Sequence, residues 1–372
     1  MTRGLIAALV AAAPLAAQER ATDAGTAARS GAVFDAYAFG AGFAFRHVVE
    51  WTVPVALSQR VGSRLVLDLA TAYARASAAT ATSGTLEISG LTDTDLRATW
   101  AAVPGHLVLV LAAALPTGRR EVPASAVPLL SALATDLLGF TTSSFGSGGG
   151  AAGGFATAIG LGTRWAGGVA ASYRWHASYT PVAGSGTLEP GGEARVRVGV
   201  EGPVWRGGYL RGAVTYDASG ADTLNGGARS ITGDRLLASL GLNLPAGRAS
   251  LGLYAYDAVR FRPRAYNSTN LNAIQVPRGN LLALGARLER PLSPALRLAP
   301  HVEFRHELAG PSTGRLALLG WLVRPGVDVR YRVSAAATLV GRAEAGFGRV
   351  ADNGASVGLV GPRAVLAAEW AR

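Results

Sequence analysis

The sequence has no cysteine, and all 35 of its basic residues are arginine, so lysine is missing as well. The first absence excludes disulfide scaffolds, thiolate zinc sites, iron–sulfur clusters and thiol nucleophiles. The second excludes a Walker-type phosphate loop, a kinase-type lysine, a Schiff base and a Ser-x-x-Lys acylase, each of which needs an ammonium group at a fixed place. Charge is scarce too: 16% of the 372 residues are charged, against 49% hydrophobic. Such a chain folds rather than staying disordered. Arginine used to the exclusion of lysine, with abundant alanine and glycine, is the mark of GC-rich coding. The net charge of +11 is therefore weak support for an acidic partner, and no nucleic-acid partner is expected.

Long hydrophobic runs are the next thing missing. Residues 1–17 read as a secretory signal peptide: one arginine, an apolar stretch from Gly4 to Ala17 broken by Pro14, then the polar Gln18-Glu19-Arg20. With no cysteine at the cut, a lipoprotein anchor is excluded. Nothing downstream offers the ~18 uninterrupted apolar residues of a membrane helix. Yet mean hydropathy is positive, at +0.26. Two classes fit: an apolar secreted globule or a transmembrane β-barrel.

Periodicity separates them. In EARVRVGVE (193–201), Glu193, Arg195, Arg197 and Glu201 fall on one face of a strand and Ala194, Val196, Val198 and Val200 on the other. The same two-faced pattern sets Arg297, His301, Glu303 and Arg305 against Leu298, Val302 and Phe304. It sets Asp328 and Arg330 against Val327 and Val329, and Asp95 and Arg97 against Leu96 and Trp100. Charge ladders opposite apolar stripes, in segments of about ten residues, describe a wall with lipid on one side and a polar lumen on the other. A soluble sandwich has shorter strands and no reason for such ladders.

Segments with this pattern cover 48–60, 62–77, 90–102, 104–116, 153–165, 167–179, 193–203, 207–218, 230–245, 248–262, 279–290, 295–308, 321–333, 335–349 and 357–371. Tight turns at Val61, Val103, Ala166-Gly167, Trp205, Pro245 to Gly247, Pro291 to Pro294 and Ser334 alternate with longer loops, the longest being 117–152. Short turns on one rim and long loops on the other are the layout of an outer-membrane barrel. The expectation is an all-β, antiparallel up-and-down barrel of 14–16 strands over 48–372. Residues 18–47 supply either a first strand, at 33–46, or a luminal plug. Within the longest loop, Pro128 followed by Leu130, Leu133, Ala134 and Leu137 at helical spacing predicts a short helix over 129–138, stopped by Gly139. Leu130, Leu133 and Leu137 then form either a packing face or an apolar surface for a lipophilic ligand.

Two stretches carry a resemblance. SGLTDTDLRATW (89–100) and, after a tight turn, LVLVLAAALPTGRR (107–120) resemble the strand–turn–strand of outer-membrane barrels linked to uptake of hydrophobic compounds. These are the fatty-acid transporter superfamily and the phenol-degradation transporter type, with their "GLxDT" strand and "LPTG" ending. The match covers about 30 residues. Region 18–47 lacks the Asn-Pro-Ala hatch motif of the fatty-acid transporters, so a hatch-gated mechanism is not implied. The sequence closes on EWAR, with Trp370 in place of a terminal aromatic residue as the assembly signal. The resemblance implies passive uptake of small hydrophobic or aromatic compounds across the outer membrane.

The parity assignment predicts a lumen lined by Arg97, Arg174, His176, Arg195, Arg197, Arg211, Tyr254, Tyr256, Arg260, Arg287, Glu289, Arg297, His301, Glu303, Arg305, Asp328, Arg330, Arg342 and Glu344. Cross-strand pairing of these charges braces the interior, and the arginine surplus leaves room for an anion preference. A diffusion porin with mild anion preference and a non-transporting structural barrel are the alternatives. Catalysis is not expected: His176 beside Ser178 and His301 beside Glu303 stand ~7 Å apart along a strand, too far for a nucleophile and its base. No histidine–carboxylate cluster has metal-ligand spacing, and no cofactor is expected. The partners implied are outer-membrane lipid, the barrel-assembly machinery and a small-molecule substrate.

Overall fold

Two-faced strands of this length have one way to satisfy every backbone group without an open edge, which is to close on themselves. The computed structural model describes residues 25–372 apart from 83, 232, 262–263, 268–269, 274–277, 311–316 and 353–354, and in it sixteen antiparallel strands form a closed barrel. They are β1 (Thr26–Phe39), β2 (Phe45–Val61), β3 (Leu65–Thr80), β4 in two pieces (Thr85–Leu91 and Thr94–Val103), β5 (Leu107–Leu115), β6 (Gly150–Leu161), β7 (Trp165–His176) and β8 (Glu193–Pro203). The other half is β9 (Tyr209–Ser219), β10 (Arg235–Ala246), β11 (Ala249–Arg260), β12 (Arg278–Pro291), β13 (Leu296–Gly310), β14 (Ala317–Arg332), β15 (Ala337–Asp352) and β16 (Ala355–Ala371). Each strand pairs with its chain neighbours, and β16 returns to β1 in a register from Ala27↔Ala371 to Phe39↔Leu359. The expected signal peptide at 1–17 lies outside the described residues.

The stretch 33–46 is not one strand. It holds the end of β1, a turn in which Phe39 stacks on Phe43 at 4.3 Å, and the start of β2. From residue 25 onward this part of the chain is barrel wall rather than plug. The turn expected at Ala166-Gly167 is at 162–164, where Gly162 takes a φ of +66° that only glycine adopts without strain; Ala166 and Gly167 are inside β7. β10 starts at Arg235 rather than at 230, because Gly227–Ile231 is drawn off into a second sheet. That sheet has five short strands, Leu188–Glu189, Ala221–Leu224, Gly227–Ile231, Arg264–Asn267 and Asn270–Ala273. Three long loops thus build a canopy beyond the rim between β7 and β12.

The break in β4 is a bulge. Tyr73 faces Leu91, but Ala70 faces Asp95, so one extra residue is accommodated at Thr92-Asp93, and the two backbones stay linked through Thr92 N–H to the Ala72 carbonyl at 2.8 Å. The bulge exchanges the faces: Ile88 is buried inside above it, while Leu96 and Trp100 point outward below it.

The outer face is apolar throughout its middle. Leu111 and Leu366 are each 67% exposed there, as are Val198, Val214, Ile159 and Val360 in large part. Aromatic residues flank this band in two tiers. Trp51, Tyr73, Tyr173, Trp175, Tyr216 and Phe347 stand near the long-loop rim, and Trp100, Trp165, Tyr331 and Trp370 near the short-turn rim. Along β7, Trp165 and Tyr173 are separated by about 26 Å of tilted strand at ~3.3 Å per residue. Bilayer hydrocarbon requires that spacing and those belts. No helix among the described residues is long and apolar enough to cross a membrane; the strands do the crossing.

Candidate functional site: a half-filled lumen

The longest loop, 116–149, turns inward. Its helix α1 (Val127–Leu133) follows a 3₁₀ turn at Ala124–Ala126 and is shorter than the expected 129–138. The chain leaves the helix after Ala134, because the next carbonyls are claimed by the wall: Arg305 donates to the Asp136 carbonyl at 2.8 Å and Arg363 to the Gly139 carbonyl at 3.2 Å. Gly139, at φ +60°, lies so close to the Arg305 guanidinium that a side chain there would collide with it. Leu129, Leu133, Leu137 and Phe145 are almost fully buried against Tyr37 of β1, Val48 of β2, Ala74, Ala76 and Ala78 of β3, Leu281 of β12 and Leu322 of β14. A segment touching strands so far apart around the circumference can only sit inside the barrel. Leu133 and Leu137 therefore offer no free apolar surface in this conformation, contrary to the ligand-surface expectation, and Leu130 packs at the margin of the same cluster. Each such buried leucine contributes about 1.5–3 kcal/mol to holding the plug.

Polar contacts fix its far side. Thr142 N–H donates to Glu50 Oε1 at 2.8 Å, and the Thr52 hydroxyl bonds both that carboxylate and Thr142. The Thr141 hydroxyl donates to Asp35 at 2.9 Å and accepts from Arg363 at 3.1 Å, while Arg363 forms an ion pair with Asp35 at 3.1 Å. The Tyr37 hydroxyl donates to the Leu138 carbonyl at 3.1 Å. Asp35, Tyr37, Glu50 and Thr52 are absent from the lumen predicted by charge ladders. Their only sequence signal is parity with Val33 and Val48 in otherwise apolar stretches.

The two motif stretches meet at the root of the plug. Thr94 and Thr117 share a hydrogen bond at 2.8 Å, and Thr117 also donates to the Thr92 carbonyl at 3.0 Å. Asp93 accepts from Gly118 N–H at 3.1 Å, from Ser147 N–H at 2.7 Å and from the Ser147 hydroxyl at 2.8 Å. One carboxylate on the β4 bulge thus clips together both ends of the inward loop. Asp93→Ala should cost the loop roughly 3 kcal/mol of anchorage, three hydrogen bonds to a charged acceptor being lost together. Limited trypsin digestion of the folded, detergent-solubilised barrel should then cut after Arg119 or Arg120 at least about tenfold faster than in the wild type. An unchanged cutting rate would show that Asp93 does not hold the loop.

Charges on the plug side are paired in several groups. Glu303 accepts from Arg305 at 2.8 Å, from Arg324 at 3.0 Å and from the Tyr254 hydroxyl at 2.6 Å. His301 meets Glu344 at 3.0 Å, and Arg342 bridges Glu344 and Asp328. Arg287 reaches Asp328 and, at 3.8 Å, Glu289, which also takes Arg297 at 3.1 Å. Arg330 pairs with Glu369, and Arg260 with Asp136 of the plug. Tyr256 packs on the margin of the plug cluster.

The opposite side, β7 to β10, is different. Arg195 pairs with Asp217, and Arg211 with Glu201 at 2.9 Å, yet the two arginine side chains remain 48% and 41% exposed. Arg174 at the top of β7 and Arg235 at the top of β10 are exposed, with His176 half-buried beside Arg174. Leu237 is exposed on the same face. Arg97 faces Asp68 in register across β3 and β4. On the plug side, by contrast, Asp35, Tyr37 and Glu50 are 1–2% exposed. The plug packs against one side of the lumen, and on the other side arginine side chains remain exposed. Among the described residues no group of histidines and carboxylates could hold a metal ion.

No protein-family model matches the chain, and no curated protein does. Among solved structures, it is similar to the outer-membrane expressed OmpT of Vibrio cholerae at 12% identity, covering 93% of this chain and 98% of that one with a TM-score of 0.42. It is similar to the TodX deltaS2S3 mutant monoaromatic hydrocarbon channel at 10% identity, covering 96% and 92% with a TM-score of 0.47. A bacterial polysaccharide outer membrane secretin is similar at 9% identity, covering 93% and 98% with a TM-score of 0.48.

Proposed function

We propose that this barrel is a passive outer-membrane channel, narrowed by its own inward loop, through which small solutes diffuse along the β7–β10 side. The observation that carries this reading is the asymmetry of the lumen: side chains under the plug are sealed, while Arg174, Arg195, Arg211 and Leu237 across from it are open to solvent. The lining Arg174, His176, Arg195, Arg197 and Arg211 belongs to the passage, with Arg97 beside it on β4, whereas Tyr254, Tyr256 and Arg260 contact the plug side and Arg287, Glu289, Arg297, His301, Glu303, Arg305, Asp328, Arg330, Arg342 and Glu344 brace the wall. Small aromatic compounds suit such a lining, because guanidinium planes stack on rings and Leu237 adds apolar surface. Export by the signal peptide at 1–17 and insertion by the barrel-assembly machinery, with Trp370 near the C-terminus, complete the proposal.

A non-transporting barrel is the second reading, favoured by the many strands that the plug ties together. Reconstitution into a planar bilayer decides between them. The channel reading expects small, ohmic, single-barrel steps and swelling of proteoliposomes in small solutes but not in disaccharides. Electrical silence together with no swelling would sink it.

A further inference from the structure

Arg197 differs from its neighbours Arg195 and Arg211 in having no carboxylate facing it. On β8 it stands between Arg195, which is committed to Asp217, and Glu201, which is committed to Arg211. In register it faces Ala170 on β7 and Thr215 on β9, and neither is an acid. The charged groups that act on it are Arg211 and Arg195, both of its own sign. Its Nε is shielded from solvent and makes no hydrogen bond. A desolvated guanidinium donor without an acceptor, beside two like charges, is an unfavourable arrangement that an incoming anion relieves. Arg324 and Arg363 also carry one buried nitrogen without a hydrogen bond, but each is neutralised by a carboxylate, as are Arg287, Arg305, Arg330 and Arg342.

We infer that Arg197 is an anion-binding station on the passage wall, selective for small organic monoanions bearing a carboxylate. The inference deepens the channel reading proposed above and rests on it for its purpose, though not for its geometry. A guanidinium offers Nε–H and Nη–H in parallel, the spacing of two carboxylate oxygens, and one negative charge is what a single unpaired arginine neutralises. Ala170 and Thr215 keep the flanks small, so that the organic body of the solute has room beside the charge. The flanking Arg195 and Arg211 stay with their own carboxylates and add long-range attraction without competing for the ligand.

The probe is benzoate, titrated by calorimetry into the intact barrel in a neutral detergent, with benzyl alcohol as the uncharged comparison. Wild type should bind benzoate at least about tenfold more tightly than benzyl alcohol, the worth of one charge-assisted contact, and Arg197→Gln should lose that difference. Arg75→Gln, which removes an arginine paired with Glu87 on the outer face, should leave it unchanged. In bilayers, wild type should favour chloride over potassium under a salt gradient, and Arg197→Gln should move the reversal potential toward zero. Should Arg197→Gln fail to show heat-modifiable migration on a gel, Arg197→Lys keeps the charge without the fork and should retain selectivity with weaker benzoate binding. Equal binding of benzoate and benzyl alcohol by wild type would overturn the inference, as would a folded Arg197→Gln that binds benzoate and selects anions like wild type. Benzoate binding that depends on Arg197 in a barrel that never conducts would uphold the site and defeat the channel reading instead.

Discussion

Replacing residues 120–145 with a Gly-Ser link should raise single-channel conductance by about an order of magnitude, since a sixteen-stranded barrel without internal obstruction encloses an aqueous pore. The cut is structurally mild. Arg119 N–H donates to the Phe145 carbonyl at 2.8 Å, so the two ends of the excised piece already lie side by side. The Asp93 clip on Gly118 and Ser147 is retained, and with it the bulge in β4. What disappears is the apolar cluster of Leu129, Leu133 and Leu137 and the polar layer through Thr141 and Thr142. Asp35 and Glu50 then face water rather than the plug, so neither is stranded. The barrel should still migrate as a folded species, though it should unfold at lower temperature for want of the buried leucines. A conductance equal to that of wild type would show that the loop does not narrow the passage. In that case the arginine-lined side would already be wide enough to set the current by itself.

That plug was half legible in the sequence, and the reason is physical. Period-two reading works where one face is charged and the other apolar, as in 193–203, whose bounds coincide with β8 because Glu193, Arg195, Arg197 and Glu201 mark the lumen. It fails where the lumen is filled by protein. On β3 the inward residues under the plug are Ala74, Ala76 and Ala78, and the outward ones include Leu67 and Tyr73, so both faces are apolar and the strand carries little sign of its sidedness. β1 is quieter still. Its inward face holds Arg29, Val33, Asp35 and Tyr37, two charges too far apart to make a ladder, so the sequence offers 33–46 as a first strand or 18–47 as a plug and does not show the strand's start at Thr26. The loop helix was signalled by Pro128 and by leucines at helical spacing, but its length was not, because the wall arginines Arg305 and Arg363 end it. The canopy strands between 188 and 273 depend on pairing among three separate loops, a contact that no local pattern records. Arg197 could be placed on the luminal face from its spacing, whereas its lack of a partner required the geometry of Asp217 and Glu201.

The assignment of faces predicts a sharp asymmetry between two leucines. Leu111, in the middle of β5, is 67% exposed on the outer face, and Leu237, on β10, is 37% exposed toward the passage. By solvent exposure alone both are surface residues, and in an ordinary soluble protein an arginine at either would change stability by about 0.5 kcal/mol or less. In a bilayer the two positions part company. Leu111→Arg puts a guanidinium on the lipid face at the centre of the nine-residue β5, at a cost of about 2–4 kcal/mol. Leu237→Arg adds one more cation to a wall facing water and near Asp217, at a cost within about 1 kcal/mol. The measurement is the urea midpoint of each variant refolded into lipid vesicles, followed by tryptophan fluorescence, with heat-modifiable migration as the check on assembly. Leu111→Arg should shift the midpoint strongly downward or fail to insert, and Leu237→Arg should track the wild type. Were the two variants equally tolerated, the band of Leu111, Ile159, Val198, Val214 and Leu366 would not be facing lipid. Were Leu237→Arg the more damaging, the inward and outward faces would have been exchanged, and with them every luminal residue named above.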